Sequence, residues 1–117
     1  MAKNLAIILA VALIGLMACG EPPEPDPGTL TSYRDQTGES FTFQVTGDAE
    51  ATVWGTVIYT DDSYLAAAAV HAGILADGET GVVVVTILPG EEAYTGSTQN
   101  DVTSWDYGQW SGSYKVE

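Results

Sequence analysis

Asp61, Asp62, Ser63 and His71 are the residues of this chain whose types invite chemistry. Asp, Ser and His together are the parts of a nucleophilic hydrolase. Their spacing argues against that use. Residues 64–72, Y-L-A-A-A-A-V-H-A, read as helix. At 1.5 Å per residue, His71 then stands about 12 Å along the axis from Ser63, too far for a hydrogen bond. The chain contains no G-x-S-x-G, H-E-x-x-H or P-loop pattern. His71 reads more simply as a core histidine bonded to a backbone or hydroxyl group. A hydrolytic or metal-dependent enzyme using Asp61, Asp62 and His71 stands as the alternative to a non-catalytic reading. Asp61 and Asp62 with Asp106, or with Glu91 and Glu92, could hold a calcium ion, but the D-x-D-x-D-G spacing of a calcium loop is missing. Helix capping and a solvated acidic surface account for these acids equally well, and no cofactor is implied.

A different chemistry is suggested by the aromatic residues. Tyr94, Trp105, Tyr107 and Trp110 gather in the last third of the chain, with Gln99, Asn100 and Gln109 among them. Aromatic faces beside amides suit sugar rings. Trp105, Tyr107 and Asn100 are the candidate ligand contacts, while Trp110 and Tyr114 are expected in the core.

Cys19 is the only cysteine among 117 residues. Before it stand Lys3, an apolar stretch over 5–14, and Leu16-Met17-Ala18. Residues 1–18 read as a secretory leader, and the apolar run is too short for a membrane-spanning helix. Leu16-Met17-Ala18-Cys19 resembles a bacterial lipobox, which implies cleavage before Cys19 and lipid on its thiol. Each buried methylene contributes about 0.8 kcal/mol, so several acyl chains hold a protein firmly on a bilayer. The resemblance places the protein in the cell envelope. In a diderm host the outer membrane is favoured over the inner, because Gly20 is not the aspartate that often retains lipoproteins at the inner membrane.

Loss of the leader removes Lys3 and leaves Arg34 and Lys115 against 16 acidic residues. Such a chain is repelled by nucleic acid and by anionic headgroups. Lipid rather than charge must therefore hold it on a membrane. With Cys19 acylated no disulfide can form, so the domain must fold on its apolar core.

Residues 19–28, with four prolines and three acids, read as an extended tether. Residues 29–117 read as one domain, mostly strand. Residues 40–45 alternate, with Phe41, Phe43 and Val45 on one face. Residues 52–59 are β-rich. Asp62 or Ser63 is placed to cap the helix, and Gly73 suits its left-handed end. Tyr64 to Ala72 is apolar all round, which predicts a buried helix; Ala66 to Ala69 allow close approach from several sides. The apolar run over 81–88 predicts a strand buried on both faces. Residues 91–95 suggest a further strand and residues 112–116 a last one. The fold class expected is α+β, a short central buried helix wrapped by antiparallel β-strands.

Several ordered motifs resemble the LCCL domain family, a small extracellular module. They are Trp54-Gly55-Thr56, then Tyr59-Thr60-Asp61-Asp62-Ser63, two alanines and His71-Ala72-Gly73. There follow the glycine-led valine strand from Gly81, Tyr94-x-Gly96-Ser97, Asn100-x-Val102-x-Ser104 and Tyr107-Gly108-x-Trp110-x-Gly112-Ser113-Tyr114. The match runs from about Trp54 to Val116, with a weaker start near Ser40. The resemblance implies a non-catalytic binding module in which Tyr59, Asp62, Ser63, His71, Gly73, Tyr94, Gly96, Ser97 and Trp110 serve the scaffold. Taken with the lipobox and the aromatic cluster, the expected ligand is an envelope glycan, lipid or protein, and the acidity speaks against nucleic acid. Two departures stand out. The family usually has four cysteines in two disulfides, one at the position of Ala66, and none is present here. Asp101 replaces a glycine, at a turn that Asp can still adopt.

Overall fold

Alternation over residues 40–46 produces the first long strand. The computed structural model describes residues 22–117; the leader and Cys19 lie outside the described residues. Strand β2 (Ser40–Thr46) pairs antiparallel with β5 (Thr80–Pro89), placing Phe41 opposite Val85, Phe43 opposite Val83 and Val45 opposite Gly81. Strand β8 (Gly112–Val116) lies on the far side of β5, with Tyr114 opposite Ile87 and Val116 opposite Val85. Short strands β3 (Gly55–Thr56) and β4 (Ile58–Thr60) complete that flank. Strand β1 (Glu24–Pro25) joins the other edge, parallel to β2. The sheet order is β1-β2-β5-β8-β4-β3. A separate hairpin pairs β6 (Thr98–Gln99) with β7 (Val102–Thr103).

Helix α1 (Leu65–His71) packs against β2 on one side and β7 on the other. Leu65, Ala67, Ala68, Ala69, Val70 and His71 are all buried, alongside Phe43, Val45, Val53, Val83, Val85, Ile87, Val102 and Tyr114. A seven-residue helix is too short to persist alone. Its stability comes from this enclosure, and its alanines let strand and hairpin close in from opposite sides. The architecture is α+β with a central buried helix, as the apolar run of 64–72 implied.

The helix begins one residue later and ends one earlier than that run. Gly73, at φ +83°, turns left-handed; its N–H donates to Val70 O and that of Ile74 to Ala69 O, both at 2.9 Å. This double closure satisfies two of the terminal carbonyls of the helix. The start differs from expectation. Tyr64 occupies the cap position without a side-chain bond, so neither Asp62 nor Ser63 caps the helix.

Four further expectations are corrected. Burial along β5 alternates: Val83, Val85 and Ile87 are inside, but Val82 is 55% exposed. No described element covers the outer face of the sheet there. The valine run therefore reflects β-propensity at paired positions. Residues 91–95 form no strand; only Tyr94 bridges, to Tyr107. The chain from Thr29 begins not with strand but with a 3-10 turn, Thr31–Tyr33, whose preceding Leu30 is fully buried. Finally, the proline-rich segment is not wholly free. It pairs with β2 through Glu24 and Pro25, and Gly28 O accepts the Leu65 N–H at 2.9 Å.

Candidate functional site

Strand β4 ends at Thr60, and the chain turns through Asp61-Asp62-Ser63 into α1, closed by Ser63 N–H to Thr60 O at 2.9 Å. Asp61 is buried to 1% exposure. Its carboxylate receives Arg34 Nε–H at 2.7 Å, Arg34 Nη2–H at 2.8 Å and Trp110 Nε1–H at 2.8 Å. Its backbone N–H donates to Gly112 O and its carbonyl accepts from Leu30 N–H. Every polar group of Asp61 is thus spent joining three segments, its own turn and the distant stretches 30–34 and 110–112. Gly112 is required here, because a Cβ on it would overlap Asp61 Oδ2. The bonds from Asp61 raise the Arg34 pKa above its ordinary value, and the guanidinium also lies 5.7 Å over the Trp110 ring. Arg34 was not foreseen. The signal was its rarity: a lone arginine in so acidic a chain implies a dedicated partner.

Ser63 is equally committed. Its Oγ accepts Trp54 N–H at 2.9 Å and lies 2.8 Å from Thr60 Oγ1, while its carbonyl accepts Tyr114 Oη–H at 2.8 Å. Burial pushes the Tyr114 pKa well above its ordinary value.

His71 is fully buried, bonded through Nδ1 to Tyr59 Oη at 3.0 Å. Its Nε2 lies 3.1 Å from Ser97 O and 3.2 Å from Ser97 Oγ. A carbonyl only accepts, so Nε2 carries hydrogen. Thr56 Oγ1 donates to Thr95 O at 2.8 Å and lies 2.6 Å from Ser97 Oγ. One assignment satisfies every atom: Tyr59 donates to His71, His71 to Ser97, Ser97 to Thr56, and Thr56 to Thr95. Burial lifts the Tyr59 pKa to about 12, which keeps the donating proton in place. The serine beside His71 is therefore Ser97, not Ser63, and its proton points to Thr56 rather than to the imidazole. A general base needs the opposite arrangement. Ser97 is further held by Ser104 Oγ, which accepts its N–H at 2.9 Å.

The acids considered for metal are dispersed. Asp61 is consumed by Arg34 and Trp110, and Asp106 accepts Gly96 N–H at 2.7 Å. Glu91 accepts Trp110 N–H through its carbonyl, and its own N–H donates to Tyr94 Oη, which also bonds Ser113 Oγ at 2.6 Å. Among the described residues no three His, Cys, Asp or Glu side chains converge as a metal site. A depression of about 490 Å³ lies between Gly73–Glu79 and the Asn100-Asp101 turn, but its Asp77 and Glu79 accept Ala49 and Ala76 N–H groups.

Of the candidate ligand contacts, Trp105 is 58% exposed and Tyr107 43%. Tyr107 meets Trp54 edge-on at 6.2 Å and Trp110 at 5.5 Å, so a row of aromatics runs Trp54–Tyr107–Trp110 toward Arg34. Asn100 is exposed and also serves the scaffold. Its Nδ2–H donates to His71 O at 3.0 Å and fastens the end of α1. Asn100 and Asp101 both adopt left-handed backbone, φ 52° and 66°, and make the two-residue turn between β6 and β7. Asp101 thus takes the glycine-like conformation directly.

The fold and this surface define a small module in which, among the described residues, the buried polar side chains are all satisfied internally and Trp105 and Tyr107 are exposed. The LCCL domain model matches residues 26–114, and the chain belongs to the LCCL domain family, a family of binding and interaction modules. It is similar to cochlin of Homo sapiens, 36% identical over 67 residues, covering 57% of this chain and 12% of cochlin. It is also similar to vitrin of Homo sapiens, 36% identical over 69 residues, and of Mus musculus, 35% identical over 69 residues; both alignments cover 59% of this chain and 10% of vitrin. The chain thus spans about a tenth of the length of these relatives. The family match begins at residue 26, well before Ser40, and so takes in Leu30 and Arg34.

Proposed function

We propose that this protein is a lipid-anchored LCCL module of the cell envelope, non-catalytic, binding an envelope glycan, lipid or protein through its exposed aromatics. The observation that carries the reading is the contrast between interior and surface. The buried Asp61, Ser63 and His71 are spent on internal partners, whereas Trp105 and Tyr107 present large aromatic surface to solvent. The anchor rests on Cys19 within Leu16-Met17-Ala18-Cys19. In a diderm host the outer membrane is the proposed location.

Two measurements test this. Cys19→Ser should shift the protein from the membrane fraction to a soluble or uncleaved form; a variant that stays membrane-bound at unchanged mass removes the anchor. Glycan and lipid arrays probed with the parent, Trp105→Ala and Tyr107→Ala should show a signal that both substitutions weaken. A signal indifferent to both removes the aromatic surface from the reading.

A further inference from the structure

Helix α1 starts at Leu65 without a side-chain cap, so its first N–H groups need partners from elsewhere. The proline-rich segment supplies one. Gly28 O accepts the Leu65 N–H at 2.9 Å. Gly28 has left-handed backbone, φ +84°, and its N–H donates to Asp26 Oδ1 at 2.8 Å. The segment is held again on either side of that turn. Glu24 and Pro25 pair with Phe43 and Gln44 of β2. Leu30 is fully buried, and its N–H donates to Asp61 O at 2.8 Å. Strand β1 is the outermost of its sheet, a place where proline, which lacks an N–H, is tolerated. Pro22, Pro23, Pro25 and Pro27 have restricted φ before docking, so little backbone freedom is lost when the segment is laid down. Residues 24–30 therefore belong to the folded unit.

This shortens the reach of the domain from Cys19. Five residue steps lead from Cys19 to Glu24, and at full extension they span about 17 Å. A tether free as far as Thr29 would have ten steps and reach about 35 Å. A globular domain of this size is about 30 Å across.

We propose that residues 24–30 are a docked strap that keeps the module close to the membrane bearing its anchor, so that its partner lies in the membrane-proximal layer, within about 50 Å of that bilayer. This rests on the anchor of the proposed function and narrows where its binding surface can act.

The test couples the chain from Cys19 onward, through that lone thiol, to a maleimide-headgroup lipid in phosphatidylcholine vesicles. Because the anchor is imposed chemically, the outcome is independent of lipidation in the cell. Two readouts are taken: amide hydrogen exchange at Leu65 relative to Val85 in β5, and energy transfer from the tryptophans to a dansyl headgroup lipid. In the parent the Leu65 amide should be protected. Gly28→Val forces a β-branched side chain onto left-handed backbone. It should unseat the strap, speed Leu65 exchange about tenfold or more relative to Val85, and lower the transfer. Gly38→Val is the matched control, with φ +91° and, as at Gly28, no atom within 4 Å of an added Cβ. It places similar strain outside the strap and should leave the exchange ratio within about twofold and the transfer unchanged. Five Gly/Ser residues inserted between Glu21 and Pro22 should lower the transfer without touching Leu65 exchange, which keeps the test open should Gly28→Val not fold. Three results overturn the proposal: a parent Leu65 amide that exchanges like an open one, a Gly28→Val chain that loses no more transfer than Gly38→Val, or an insertion that leaves the transfer unchanged. If Cys19→Ser stays membrane-bound in cells, the anchor fails while the strap stands on these measurements.

Discussion

Replacing Arg34 with Ala would leave the Asp61 carboxylate at 2% side-chain exposure, with Trp110 Nε1–H as its remaining side-chain donor. Two charge-assisted bonds disappear, and each such bond contributes about 1.5–3 kcal/mol. Orphaning one member of a buried pair costs about 3–5 kcal/mol. Arg34 is itself 38% exposed, so water can partly replace it, and the lower end, about 3 kcal/mol, is the expected loss. In a domain of this size that lowers the melting temperature by about 12–24 °C. Lys115→Ala is the internal contrast. Its partner Glu117 is mostly exposed, and surface pairs contribute about 0–1 kcal/mol. Urea unfolding of the parent, Arg34→Ala, Asp61→Asn and the double variant completes a cycle, and the singles should be strongly non-additive. If Arg34→Ala costs no more than Lys115→Ala at unchanged m-value, the pair is a solvated surface contact. The claim that Asp61 joins the three segments would then be refuted.

His71→Ala should cost about 2–4 kcal/mol, because it opens a cavity and strands the buried Tyr59 Oη–H donor; a calorimetric melt checks this. Ala68→Leu, at a fully buried site on α1, should cost about 1–3 kcal/mol by overpacking, and an unchanged melt would make the helix peripheral. Tyr59 and Tyr114 keep their protons in the fold at pH values where the unfolded chain releases them. Their contribution to stability is therefore full below about pH 10 and declines above it, that of Tyr59 being lost as pH rises through about 12. Melting between pH 8 and pH 12, followed with tyrosinate absorbance, should show the decline only at the alkaline end.

Much of the scaffold was legible because local and tertiary preferences agree. The alanine run between Ser63 and Gly73 admits only a buried helix, and the alternation through Phe41, Phe43 and Val45 admits only a half-buried strand. The helix start was misread because Ser63, one of the two expected caps, spends its hydroxyl on Trp54 and Thr60, and those bonds outcompete capping. The two-sided burial expected of 81–88 failed because valine fits a pleated surface whether or not its outer face is covered. At the site, the neighbour of His71 depended on which loop returns to α1, and only the fold brings Ser97, 26 residues later in the chain, within reach. The left-handed backbone of Val57, φ 68°, has no mark in its own triplet, since nothing in Thr56-Val57-Ile58 favours it.

The account turns on a division between a histidine that holds the structure and aromatics that meet a partner. Its most direct test follows melting and ligand binding together in His71→Ala, Trp105→Ala and Tyr107→Ala, using whichever ligand the arrays identify. The account predicts that His71→Ala lowers the melting temperature, that Trp105→Ala stays within about 0.5 kcal/mol of the parent and Tyr107→Ala loses about 1–2 kcal/mol with its two aromatic contacts, and that both aromatic variants bind about tenfold or more weakly. A His71→Ala protein that melts normally and loses only activity, with both aromatic variants binding as the parent does, would contradict it.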